Sequence, residues 1–222
     1  MVPPLAVDID GTLSRPDRSI DPRVIDTLSA WEAPVVIATG KALPFPVALA
    51  QFVGIEERVI AENGGIAVAG DALFVNGDRE AADAVAEAYR EEGYDLGWGA
   101  LDLVNRWRET EIAVHREAPR EPLEEIAGEH GLEVIDTGFA YHVKEPDVTK
   151  GTALPDVAGA LDLEPDHFVA IGDSENDVGL FGAAGFGIAV GNADDAAKDA
   201  ADLVTSASYG DGFLEALNEL LQ

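Results

Sequence analysis

Three short apolar runs in this chain stop at polar, glycine-bearing turns, and that repeat leaves few folds open. Residues 5–7 run into Asp8-Ile9-Asp10-Gly11-Thr12, residues 34–38 into Thr39-Gly40-Lys41, and residues 167–171 into Gly172-Asp173-Ser174-Glu175-Asn176-Asp177. Runs this short, bounded by turn residues, read as strands buried on both faces. Helical patterns separate them. Asp21-Pro22 opens the first, with Asp as cap and Pro at the first helical position, and Val24, Ile25 and Leu28 share one face. Residues 43–52 carry a second helix and residues 59–61 a third strand. A β-α-β-α-β rhythm implies a parallel sheet with right-handed crossovers. It returns after Pro146: a helix over 152–160, the strand 167–171, a helix over 177–183, a strand over 186–190, and a last helix bearing Phe213, Leu214, Leu217, Leu220 and Leu221.

Between residues 66 and 146 the rhythm is different. Residues 66–68 and 73–75 flank a Gly70-Asp71 turn and read as a hairpin. A helix follows with Ala81, Val85, Ala88 and Tyr89 on one stripe, then strands at 101–104 and 111–115. A second helix carries Leu123, Ile126 and Ala127, and strands at 133–135 and 141–143 close the segment. This order predicts a small α+β unit, an antiparallel sheet covered by two helices, inserted into an α/β parallel-sheet core. The expected division is a core of residues 1–65 and 147–222 and a cap of residues 66–146.

Charge narrows the partners. Fourteen basic residues stand against 43 acidic ones, a net −29, and only four of the basic residues are lysine (Lys41, Lys144, Lys150, Lys198). The acids are spread through an apolar-periodic chain, which excludes both disorder and an acidic tail. The remaining reading is an acidic coat on a folded protein adapted to a salt-rich interior, where salt screens its self-repulsion. Such a surface repels nucleic acid and anionic membranes. With no cysteine, disulfides and thiolate metal sites are impossible. The start Met-Val-Pro-Pro-Leu-Ala-Val lacks a basic region and a long apolar stretch, and nothing approaches the roughly 20 apolar residues of a membrane span. A cytoplasmic protein is expected; nothing in the sequence chooses between monomer and homodimer.

Parallel sheets bind ligands where their strands end. Asp8 and Asp10 are two apart, so extended backbone turns both carboxylates the same way, and Gly11 lets the chain bend beside them. Asp173 and Asp177 arrive on another strand end. Carboxylates gathered in one mouth repel unless a cation relieves them, and Mg²⁺, a hard oxygen-seeking ion, suits the set. Thr39, Gly40 and Lys150, which precedes the helix over 152–160, can then hold phosphate oxygens. Each piece alone has a plainer reading: Asp-Gly is a turn, Thr-Gly a strand-to-helix bend, Gly-Asp-Ser a helix cap, and one lysine a solvated charge. Their conjunction, in chain order and at strand ends, favours chemistry.

Asp8-Ile9-Asp10-Gly11-Thr12, Thr39, Lys150 and Gly172-Asp173-Ser174-Glu175-Asn176-Asp177 resemble the four motifs of the haloacid dehalogenase superfamily. The insert lies where the superfamily's second cap type lies, and Ala61-Glu62-Asn63-Gly64-Gly65 resembles the loop that introduces it in the Cof-like branch. The resemblance implies a Rossmann-like core and a Mg²⁺-dependent phosphatase of a small phosphorylated metabolite. It makes Asp8 the nucleophile that becomes phosphorylated, and Asp10 the acid and base, its backbone carbonyl also on the metal. Asp173 becomes a direct ligand, Asp177 a direct or supporting one, and Asn176 a support behind them. Lys150 is preferred over Lys144 for the phosphate because Gly151 and a helix follow it. The small cap and Ser208-Tyr209-Gly210-Asp211-Gly212 are similar to archaeal phosphoglycolate phosphatases, which implies 2-phosphoglycolate as substrate. Phosphatases of sucrose-phosphate or mannosyl-phosphoglycerate type, a phosphosugar mutase and a non-catalytic phosphate sensor stay open. A substrate carboxylate calls for a cap cation, and Arg106, Arg108, His142 and Lys144 are the candidates.

Overall fold

The computed structural model describes residues 2–221. Its core is one eight-stranded sheet, ordered β11-β10-β9-β1-β2-β3-β4-β5. β1 (Leu5–Val7), β2 (Val35–Ala38), β3 (Arg58–Ala61), β9 (Val169–Gly172), β10 (Phe186–Ala189) and β11 (Leu203–Val204) run parallel. β4 (Ile66–Ala69) and β5 (Ala72–Val75) are antiparallel additions at one edge. β1 lies at the centre, and Val7 pairs with both Ile37 and Ile171. The three strands therefore end level, and Asp8, Thr39 and the turn after Gly172 emerge at one rim.

Both faces are covered, as a parallel sheet requires. On one side α1 (Pro22–Ser29), α2 (Pro44–Val53) and α8 (Tyr209–Leu220) bury Val24, Leu28, Ala50, Phe213 and Leu217 against Leu5, Val7, Ile37 and Ile171. On the other, α5 (Lys150–Ala160), α6 (Val178–Ala183) and α7 (Asp195–Ala200) bury Leu154, Val157, Leu180 and Ala197 against Ala6, Val36, Ile60 and Ala170. α1 begins as expected: the Asp21 carboxylate accepts the Arg23 N–H, with Pro22 in the first position.

The insert holds β6 (Ile112–His115), β7 (Glu133–Asp136) and β8 (Ala140–Lys144), paired antiparallel in the order β6-β8-β7. α3 (Arg79–Glu91) and α4 (Arg120–Glu129) cover it around Tyr89, Leu123 and Val143. Two expectations need correcting. The hairpin at 66–75, assigned above to the cap, extends the core sheet instead: after the bend at 62–65 the chain reverses and β4 pairs with β3 along four residues. The strand expected at 101–104 does not form. Asp102 has φ +36°, its carboxylate accepts from the Asn105 backbone and side chain, and Asn105 is tied to Ala113, so the segment closes into turns. No described helix is long and apolar enough to cross a membrane.

Candidate active site

Asp8 leaves β1 in extended backbone (φ −72°, ψ 158°) with its N–H on the Ile171 carbonyl, and the residue is only 4% exposed. At Gly11 the chain turns with φ +84°; a Cβ there would stand 2.0 Å from an Asp173 carboxylate oxygen, so glycine lets the two strand ends touch. Lys150, the first residue of α5, is fully buried and closes the floor. Its Nζ donates to Asp8 Oδ1 at 2.7 Å, to Asp177 Oδ1 at 2.7 Å and to Asn176 Oδ1 at 3.3 Å. Asp177 Oδ2 accepts the backbone N–H groups of Asp173 and Ser174 at 3.0 and 3.2 Å, so Asp177 shapes the loop that carries Asp173.

Asp8, Asp173 and Asp177 each offer an oxygen within 4.8 Å of the others. Burial, then the neighbouring Asp177, pushes the Asp173 carboxyl up to about 7. Burial also pushes Asp8 up, beyond what the Lys150 ammonium gives back. The two carboxylates hold Lys150 above its ordinary value against the opposing effect of its burial. Three carboxylates facing one ammonium leave a formal charge of about −2, which one divalent cation cancels. The near donors are oxygens, which suits a hard cation. The residues fit such an ion.

Asp10 turns to the rim, where Lys41 Nζ meets its carboxylate at 2.8 Å. Thr39 is buried, with its hydroxyl accepting the Lys41 N–H. A cleft of about 90 Å³ lies between this rim and the cap, lined by Asp8, Asp10, Thr39, Gly40, Asp173 and Asn176 below and by Arg108, Phe139 and His142 above. Arg108, 6% exposed, donates Nη1 to the Gly40 carbonyl at 3.0 Å and pairs with Glu111. Its Nε is buried with no acceptor.

A model of haloacid dehalogenase-like hydrolases matches residues 5–95 and 118–217. The chain belongs to that family. The hydrolase is 61% identical over 218 residues to a phosphoglycolate phosphatase of Halobacterium salinarum, covering 98% of this chain and 97% of the relative. It is 61% identical over 221 residues to a phosphoglycolate phosphatase of Natronomonas pharaonis, covering 98% and 97%. Its fold superimposes on the crystal structure of Thermoplasma acidophilum 0175 with a TM-score of 0.85 at 26% identity, covering 100% of this chain and 99% of the other.

Of the four cap cations singled out from the hydrolase sequence, two line the cleft. Arg108 and His142 do; Arg106 is exposed and lies over the Trp107 ring at 5.5 Å. Lys144 is buried and does not line the cleft, with its ammonium on Glu133 and on the carbonyls of Glu145 and Val148. Sequence reasoning passed over Lys41, whose position directly after Thr39-Gly40 was the available signal. It also passed over Asn192, whose Nδ2 donates to the Gly11 carbonyl at 3.0 Å and steadies the first turn. Glu111 was missed as well, one acid among 43 with nothing local to mark it.

Proposed function

We propose that the protein hydrolyses 2-phosphoglycolate to glycolate and phosphate through a phosphorylated Asp8. The observation that carries this reading is the cleft's two walls: Asp8, held from beneath by Lys150, on the core side, and the Arg108 guanidinium on the cap side. A guanidinium at the cleft wall is the group that pairs best with a ligand carboxylate. The cleft's 90 Å³ is well under the roughly 300–1,000 Å³ of sites for larger ligands. That favours a two-carbon acid over a disaccharide phosphate. The identity to curated phosphoglycolate phosphatases over nearly the whole chain supports the same substrate.

In the reaction, one oxygen of Asp8 attacks phosphorus while Lys150 holds the other. The bond from phosphorus to the glycolate oxygen breaks, and Asp10 in its acid form gives that oxygen its proton. Asp10, now a carboxylate, takes a proton from water, whose oxygen attacks the Asp8 phosphate. Phosphate leaves and Asp8 is restored. Thr39 and the Gly40 N–H, with Lys150, hold the phosphate oxygens. Asp8, Asp173 and the Asp10 carbonyl are the residues that would hold Mg²⁺, which when bound screens carboxylate from phosphate. Asp177 acts on this set through Lys150 and the Asp173 loop, and Asn176 through Lys150.

On this reading residues 1–65 and 147–222, with the hairpin 66–75, carry catalysis, and the rest of the insert reads the acid. The enzyme works on a free metabolite in the cytoplasm, without nucleic acid or membrane. The test is phosphate release, with Mg²⁺ in molar KCl, from 2-phosphoglycolate, several sugar phosphates and 4-nitrophenyl phosphate. The expected result is a kcat/KM highest for 2-phosphoglycolate; a sugar phosphate preferred by tenfold or more overturns the substrate, and no release from any ester overturns the reaction.

A further inference from the structure

Glu111 lies at the entry to β6, is 1% exposed, and does not line the cleft. Both its oxygens are used. Oε1 meets Arg108 and, at 2.7 Å, His142 Nδ1; Oε2 accepts from Asn63 Nδ2 at 2.9 Å. Burial alone would push its carboxyl up, but His142 and Arg108 beside it bring it below the usual value. A group so enclosed cannot reach substrate. It is also a poor choice for stability alone, because buried ion pairs seldom outperform apolar residues of the same volume.

The neighbours of Glu111 continue into the phosphate end. Asn63 Oδ1 accepts from Asn176 Nδ2 at 3.0 Å, and Asn176 Oδ1 accepts from Lys150 at 3.3 Å. Arg108–Glu111–Asn63–Asn176–Lys150 is thus an unbroken set of hydrogen bonds between the two anion grips. The loop bearing Asn63 is unusually constrained. Glu62, Asn63 and Gly64 all have positive φ, +51°, +55° and +106°. For Glu62 that conformation is strained and persists only where the surroundings hold it. They do: its carboxylate accepts the N–H groups of Glu109 and Thr110 and the Thr110 hydroxyl, all within 3.0 Å. A Cβ at Gly64 would fall 2.1 Å from the Thr149 carbonyl, so the loop is pressed onto the start of α5, one residue before Lys150. The segment 109–111 beside Arg108 and the base of Lys150 are clamped to the same short loop.

We infer that Glu111 is a positioning residue that, together with the Glu62–Gly64 loop, fixes the distance between the carboxylate grip at Arg108 and the phosphate grip at Lys150, so that the enzyme selects its substrate by phosphate-to-carboxylate spacing. This rests on the phosphoglycolate reading above. His142, with Nδ1 directed to Glu111, presents Nε2 as the nitrogen that can meet substrate. Replacing Glu111 removes the carboxylate shared by Arg108 and His142, and leaves the groups around phosphorus in place.

The test is a homologous series: the phosphate esters of glycolate, 3-hydroxypropanoate and 4-hydroxybutanoate, with 4-nitrophenyl phosphate as an ester lacking the carboxylate. One surplus methylene in a fitted site is worth roughly 10- to 200-fold. The wild type should therefore lose at least about tenfold in kcat/KM with the first added methylene, mainly in KM. Glu111→Gln should flatten the series to within about threefold and lower the preference for 2-phosphoglycolate over the aryl ester by roughly 30-fold or more, the scale of a lost charged contact. Ratios between substrates cancel any loss of folded enzyme, which a purely structural role would cause equally for all. If Glu111→Gln does not fold, Asn63→Gly carries the test, since glycine accepts the left-handed backbone while the Asn63 side-chain links to Glu111, His142 and Asn176, which bridge the two grips, are lost together; it should flatten the series likewise. A variant that keeps the wild-type length preference overturns the inference alone, as does a wild type indifferent to length. A wild type that cleaves the aryl ester but not 2-phosphoglycolate overturns the functional reading, and this inference with it.

Discussion

Lys150→Met removes the ammonium on which the site is built while keeping an unbranched side chain of similar length. The lysine is fully buried, and its Nζ lies 2.7 Å from both Asp8 and Asp177. Without it, three carboxylates within 4.8 Å have no counter-charge. Breaking a buried pair by removing one partner costs about 3–5 kcal/mol. The lower end applies, because burial already disposes Asp8 to take up a proton and shed its charge. For a chain of this size 1 kcal/mol moves Tm by roughly 2–4 °C, so a fall of about 6–12 °C is expected. The assay is thermal unfolding by circular dichroism at pH 7 in molar KCl with EDTA, repeated with Mg²⁺. The deficit should be largest in EDTA and shrink when the cation supplies the missing charge. A variant melting within 2 °C of wild type in EDTA would refute the view that Lys150 neutralises this cluster.

Gly11→Ala should lower phosphate release by at least about 100-fold, because the new Cβ stands 2.0 Å from the Asp173 carboxylate at a φ of +84° and must displace it. Wild-type kinetics in that variant would contradict the close approach. Glu111 has a depressed folded value, so its contribution to stability is present above about pH 4.5, its unfolded value, and is lost as pH falls through the folded one. The Tm gap between wild type and Glu111→Gln should therefore be wide at pH 7 and narrow on acidification below 4.5; a constant gap contradicts the charge-based role. With a net charge of −29, Tm should rise with KCl from dilute buffer to molar salt, as screening relieves self-repulsion. A salt-independent Tm would remove the reading of the acidic coat.

The site floor was legible because its signals are local. Asp8 and Asp10 sit two residues apart beside Gly11, directly after a buried strand, and Asp173 and Asp177 follow the end of β9, the strand paired with β1. The alternation of apolar runs and helical stripes likewise carried the parallel core. What escaped depends on contacts distant in sequence. The hairpin at 66–75 has the same local pattern whether it joins cap or core, and its pairing with β3 decides. Arg106 and Arg108 look equivalent in a strand, but the Asp102–Asn105 turn sends one to solvent and the other under Gly40. Lys144 looked available as a cation until Glu133 and two carbonyls were seen to occupy it. α7 is six residues long with one buried alanine, too short for a periodic signal, and Asp194 capping it is the only local mark.

The central claim is a covalent phosphate on Asp8, and acid-quench labelling reads it directly. Enzyme mixed with 2-phosphoglycolate carrying radiolabelled phosphate and Mg²⁺, quenched in acid within the first turnovers and digested, should yield label on the peptide containing Asp8 that alkali or hydroxylamine releases. Asp8→Asn should carry no label and release no phosphate. Turnover by wild type with label on another residue, or undiminished phosphate release by Asp8→Asn, would contradict the account.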